Sequence, residues 1–199
     1  MGICGRRGRG RLAIALVMAL AAARADAASS VVELDAGRSA LSFSLDSTLH
    51  EVHGTARLTE GRVTFDPSGG EAGGRLVVDA RSADTGNRLR DRQMHRKVLE
   101  SERFEEIVFV PASLEVTRVD GNRARVVLAG SMQIHGSEWP LRIPADLTVD
   151  GEQIHIQGTF TVPYVEWGMQ DMSKLLLRVS PEVVVAIDAF GTIRPPPIP

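Results

Sequence analysis

"QIHIQGTFTV", residues 153–162, is the stretch whose reading decides the fold. Ile154, Ile156, Gly158, Phe160 and Val162 fall on one face, and Gln153, His155, Gln157, Thr159 and Thr161 on the other. That is the period of two of a half-buried β-strand.

The same alternation runs outward in both directions. Residues 125–136 put Val126, Leu128, Gly130, Met132 and Ile134 on one face, and residues 39–46 do the same with Leu41, Phe43 and Leu45. Further strands are expected over 52–65, 74–82, 106–119, 139–149 and 182–190. Two near-identical stretches, VDGN at 119–122 and VDGE at 149–152, supply the Asp-Gly chemistry of tight hairpins. Pro140, Pro144 and Pro163 suit bends or edge positions. About eight long strands joined by short turns must hide their edges, and closure does this most completely. The expectation is a mainly β protein, an antiparallel barrel of about eight strands.

The N-terminus is read separately. MGICGRRGRGR is a basic segment, residues 12–23 are an apolar run, and Ala25 and Ala27 stand at the −3 and −1 positions of a cleavage site. Residues 1–27 are therefore expected to be a signal peptide, which places the mature chain in the periplasm or outside the cell. Arg6-Arg7 lacks the apolar-basic context of a twin-arginine signal. The leader carries away five arginines, one aspartate and Cys4, the only cysteine. What remains is more acidic than the net charge of −2 of the whole chain, which argues against a nucleic-acid partner and excludes thiol catalysis and disulfides. The terminal RPPPIP, residues 194–199, reads as a disordered proline-rich tail.

One stretch breaks the β pattern. TGNRLRDRQMHRKVLESERFEEIVFVP, residues 85–111, crowds five cations into ten positions, 88–97. A helix is expected over 87–101 with Asn87 as N-cap and Met94 and Val98 on one face. Arg88, Arg90 and Arg92 oppose the helix dipole, so the helix depends on docking. Its cations read either as a solvated face or as a contact for an anionic headgroup or a transient contact with a membrane surface.

With the strands placed, the chain resembles the YceI-like family, exported polyisoprenoid-binding or lipid-binding β-barrel proteins. The resemblance rests on LDAGRSALSFSL, SADTGNRLRD, FEEIVF, LAGSMQIHGSEWPL, FTVPYVEWGM and VVVAID, in that order, and runs from about Val31 to Ile193, within one expected domain at 28–193. Two departures are visible: Glu105 stands where the family commonly has proline, and Pro163 precedes VEWG. The resemblance implies a lipocalin-like antiparallel eight-stranded β-barrel with one short α-helix, enclosing an elongated apolar cavity that holds an isoprenoid or other long-chain lipid, with no cofactor. Periodicity alone leaves open whether such an interior is filled or holds a ligand. On the resemblance, Phe43, Leu45, Phe109, Ile134, Phe160 and Trp167 are the expected tail contacts, and Met94 would close one end.

The rival readings are weaker. His50 and His53 are three apart in an extended segment, so their side chains diverge, and no third metal ligand is apparent. His135 in a turn and His155 on a polar strand face read as structural or surface residues. No G-x-S-x-G elbow is present to scaffold a lipid-modifying hydrolase. The expected function is that of an exported, non-enzymatic lipid carrier; a cavity-free interaction or stress-response module is the alternative.

Overall fold

The computed structural model describes residues 29–48, 50–67, 70–173 and 178–194. The expected signal peptide, and the tail beyond Arg194, lie outside them. Nine strands follow in order: β1 Ser30–Leu34, β2 Ala40–Leu45, β3 Val52–Phe65, β4 Ala72–Asp84, β5 Glu106–Asp120, β6 Arg123–Ile134, β7 Ser137–Asp150, β8 Gln153–Val162 and β9 Val183–Arg194. Helix α1, Arg88–Gln93, lies between β4 and β5.

Nine strands make eight staves. β1 and β2 each pair antiparallel with both β3 and β9, β1 near Phe65 and Arg194 and β2 near Val52 and Val184. They are two halves of one interrupted stave. Every neighbouring pair is antiparallel, and the β3–β4 pairing closes the circle. The expected closed eight-stranded barrel is what forms. The interruption has a local cause: Asp35 Oδ1 accepts the amides of Gly37 (2.9 Å) and Arg38 (3.3 Å), and the Ser39 hydroxyl donates to the Asp35 carbonyl (2.7 Å). An aspartate that satisfies its own downstream amides turns the chain out of the ladder.

The Asp-Gly turns fall where expected, with Gly121 and Gly151 both at φ +60° as first loop residues. Only the first loop residue is left-handed there, the pattern of a II′ hairpin. Between β6 and β7 both loop residues, His135 (φ 52°) and Gly136 (φ 74°), are left-handed. These turns set two distinct ends. The β5–β6 and β7–β8 hairpins and the ends of β1 and β9 lie at one end; α1 and the β6–β7 turn lie at the other.

Helix α1 begins as predicted, its Asn87 side chain accepting the amides of Leu89 and Arg90. It does not continue as an α-helix to Ser101. After Gln93 the chain widens into a π-helical turn, Met94–Val98, with Leu99 donating to the Met94 carbonyl. His95 anchors this turn: its Nε2 donates to the Ala83 carbonyl (2.9 Å), so in the neutral ring Nδ1 accepts from the buried Ser101 hydroxyl (2.9 Å).

The strand alternation becomes an inside and an outside. Toward the helix end the interior holds a large cluster that includes Phe109, Met132, Phe160, Tyr164 and Trp167; toward the other end Val32, Val63 and Ile154 form a smaller one. Leu76 and Leu128 pack against both.

Candidate functional site

The barrel interior is apolar from end to end. Phe109, Ile134, Phe160 and Trp167 meet in the larger cluster, with Leu45 packed on it. Phe43 is paired with Val185, itself packed on that cluster, and therefore shares the inward face. Its ring lies where a side chain on Gly54 would otherwise stand, so only glycine fits at that position. Met94 is half-buried, but Val98 and Leu99, not Met94, are the helical-segment residues that pack on the cluster. The π-turn supplies the reason, since it shifts the phase of the residues that follow.

Between the two clusters lies a cavity of about 60 Å³. Of the residues around it, only Ser39 has a polar side chain; Leu58, Ile107, Met132, Ile143, Phe160 and Ala189 are among the rest. A group of methylene size, like a water molecule, takes up ~30 Å³, so about two such groups fit. The elongated cavity implied by the resemblance is thus occupied by the protein's own side chains, Met132 and Phe160 among them. A larger depression of about 690 Å³ lies on the outer wall, open to solvent and bordered by Ser42, Arg125, Asp146, Gln157 and Asp188. Ala40 and Ile187 border both spaces, so the wall there is one strand thick.

One seam of the barrel is unzipped. β7 and β8 pair only between Ala145–Asp150 and Gln153–Gly158. Toward the helix end, residues 137–144 of β7 bond to β6 alone and residues 159–162 of β8 to β9 alone. Pro140 and Pro144 lie in this free stretch, where a missing amide proton costs no ladder bond. Ile143 and Phe160, one on each side of the seam, both line the cavity.

Two polar atoms within the larger cluster lack hydrogen-bond partners among the described residues: Trp139 Nε1 and the Tyr164 hydroxyl. The Trp139 and Trp167 rings stack in parallel, 5.7 Å apart. Burial pushes the Tyr164 phenol above its ordinary value, and the Asp171 carboxylate adds to the effect; the Met172 amide offsets part of it without reaching hydrogen-bond geometry. Alternation could have flagged Met132 and Ile143 as lining residues. Nothing in the pattern marks Tyr164, which lies in a loop.

Several polar groups on the outer wall are partnered. Arg125 donates to Asp146 through Nε (2.7 Å) and Nη2 (3.1 Å). This holds the carboxyl below its usual range and raises the guanidinium. His155 stacks on Phe190 (4.3 Å) and bonds to Asp188, while Arg38 covers the Phe190 ring. His50 faces Arg90 (3.4 Å) and His53 faces Glu51 (3.6 Å), both at the surface. Among the described residues no three His, Cys, Asp or Glu side chains gather as metal ligands, and no helix is long and apolar enough to cross a membrane.

A family model described as the YceI-like domain matches residues 32–190. The fold is similar to that of BcnA from Burkholderia cenocepacia, with a TM-score of 0.63 at 17% identity over 79% of this chain and 98% of that one. It is also similar to a polyisoprenoid-binding domain from Saccharophagus degradans implicated in plant cell wall breakdown, with a TM-score of 0.58 at 18% identity over 82% and 98%. At such identities the likeness is one of fold. No curated protein matches the chain in sequence.

Proposed function

Since the chain belongs to the YceI-like family, we propose that it is an exported, non-catalytic carrier that holds a long-chain lipid, an isoprenoid by preference, inside the barrel. The observation that carries the reading is the apolar interior running between the ends, with a cavity at its middle bordered by a seam that lacks ladder bonds toward the helix end. The polyisoprenoid-binding domain of similar fold supports the ligand class. A tail of about twenty carbons gains on the order of 16 kcal/mol on leaving water, at roughly 0.8 kcal/mol per methylene. A bilayer offers the same gain, so exchange between membrane and barrel is near neutral before ordering costs. The space for the tail comes from side chains that move aside. Trp139 Nε1 and the Tyr164 hydroxyl, buried donors without partners among the described residues, suit a chain that ends in a hydroxyl, carbonyl or phosphate oxygen. Export rests on the leader expected at residues 1–27.

The test is organic extraction and mass spectrometry of protein purified from its own compartment. A long-chain species of that kind, recovered near one per protein, is expected. The filled interior favours a second reading, a cavity-free interaction module, and an extract without apolar species from folded protein would decide for it.

A further inference from the structure

The helical segment between β4 and β5 divides into two faces. Arg90, Asp91, Met94, His95, Val98 and Leu99 are half-buried; Arg88, Leu89, Arg92, Gln93, Arg96 and Lys97 are exposed. Leu89 is 72% exposed, and the other outward positions are cationic except Gln93. Elsewhere in the barrel nine arginines stand within ion-pair distance of a carboxylate. Within the helical segment, none of the five cations does so among the described residues. Arg90 is used internally, donating from Nε to the Thr85 hydroxyl (2.7 Å) and from Nη2 to the Thr85 carbonyl (2.9 Å). Arg88, Arg92, Arg96 and Lys97 are left facing water around an apolar side chain. An acidic protein that pairs most of its other arginines and leaves these four free, with a leucine among them, carries the chemistry of a bilayer contact.

We propose that this outward face is a docking surface for an anionic lipid bilayer, with Leu89 entering the headgroup region and the four cations meeting phosphate. Charge complementarity selects the partner, and the exposed leucine distinguishes a bilayer from a merely acidic polymer, which would gain nothing from it. The inward side of the same segment packs Val98 and Leu99 on the cluster at the helix end. Docking therefore brings that end of the barrel to the membrane. The surface stands on these exposed residues and not on the interior, so blocking the cavity leaves docking intact.

The experiment is flotation of the mature chain with vesicles of phosphatidylethanolamine, with and without phosphatidylglycerol. Binding is expected only with phosphatidylglycerol, and it should weaken as salt is added. At about fivefold per cation, replacing Arg88, Arg92, Arg96 and Lys97 together by Gln should weaken it on the order of several hundred-fold. Leu89→Ser should weaken it at least about tenfold. All five side chains are exposed, so circular dichroism should be unchanged. Equal binding to both vesicles, parent-like binding by the quadruple variant, or binding to polyglutamate without binding to vesicles would each overturn the proposal.

Discussion

Ala189→Val tests the cavity, because its effect on the protein and its effect on the ligand have opposite signs. Ala189 is 1% exposed on β9 and borders the void of about 60 Å³. Valine adds two carbons, which at ~30 Å³ each are about what that void holds. Burying them contributes up to about 1.6 kcal/mol at ~0.8 kcal/mol per group, less the χ1 freedom lost, and a branched side chain suits a strand. The expected gain in stability is about 1 kcal/mol, read from the midpoint of urea unfolding at constant m. A lipid tail using the same void loses room for about two methylenes. Its affinity should fall about 15-fold, since ~1.4 kcal/mol is a factor of ten. Isothermal titration with a twenty-carbon isoprenoid alcohol reads this second effect. Destabilisation by more than about 1 kcal/mol would show that Ala189 is already fully packed. Unchanged affinity in a stabilised variant would show that the tail lies elsewhere.

Three further outcomes are expected. N-terminal sequencing of protein from the producing cell's extracytoplasmic fraction should begin near Ala28. Hydrogen exchange should open the α1 and π-turn amides before those of the strands and slow them when lipid binds. His95→Ala, which strips partners from Ser101 and the Ala83 carbonyl, should speed that opening by an amount equivalent to about 1–3 kcal/mol. Tyr164 is the only tyrosine, so phenolate absorbance reports it alone and should show titration above the ordinary 10.0. Because the folded state holds this proton longer, stability is intact below pH 10.0 and falls as pH rises above it. Tyr164→Phe should flatten that fall.

Much of the barrel was legible because alternation over ten or more residues, as in β8 and β6, has no competing explanation. β1 was not read as a strand: its five residues are too few for a period to emerge, and Asp35 closes it off with a turn that interrupts the stave. The start of α1 was written in Asn87, whose side chain does what a cap does. The π-turn is not legible there: an α-helix puts Met94 and Val98 on one face, whereas the wider turn brings Leu99 beside Val98 on the cluster. Phe43, Leu45, Phe109, Ile134 and Phe160 could be assigned to inward faces strand by strand, whereas Trp167, in the loop after β8, rested on the resemblance alone. How far their rings fill the interior depends on register between strands, which no single strand records. The unzipped seam is of the same kind, hinted at by Pro140 and Pro144 but visible only once β7 and β8 are laid side by side.

That seam also sets how the barrel can deform. A ring of staves laddered along their whole length has a fixed circumference, because widening it anywhere breaks backbone bonds at about 0.5–1.5 kcal/mol net each. Between residues 137–144 and 159–162 there are no such bonds to break. Girth can therefore grow here without that cost, with the pairs from Ala145 to Asp150 acting as the hinge line. The wall at the helix end is elastic along this seam, so an incoming chain would stretch it there as a wedge stretches a split ring.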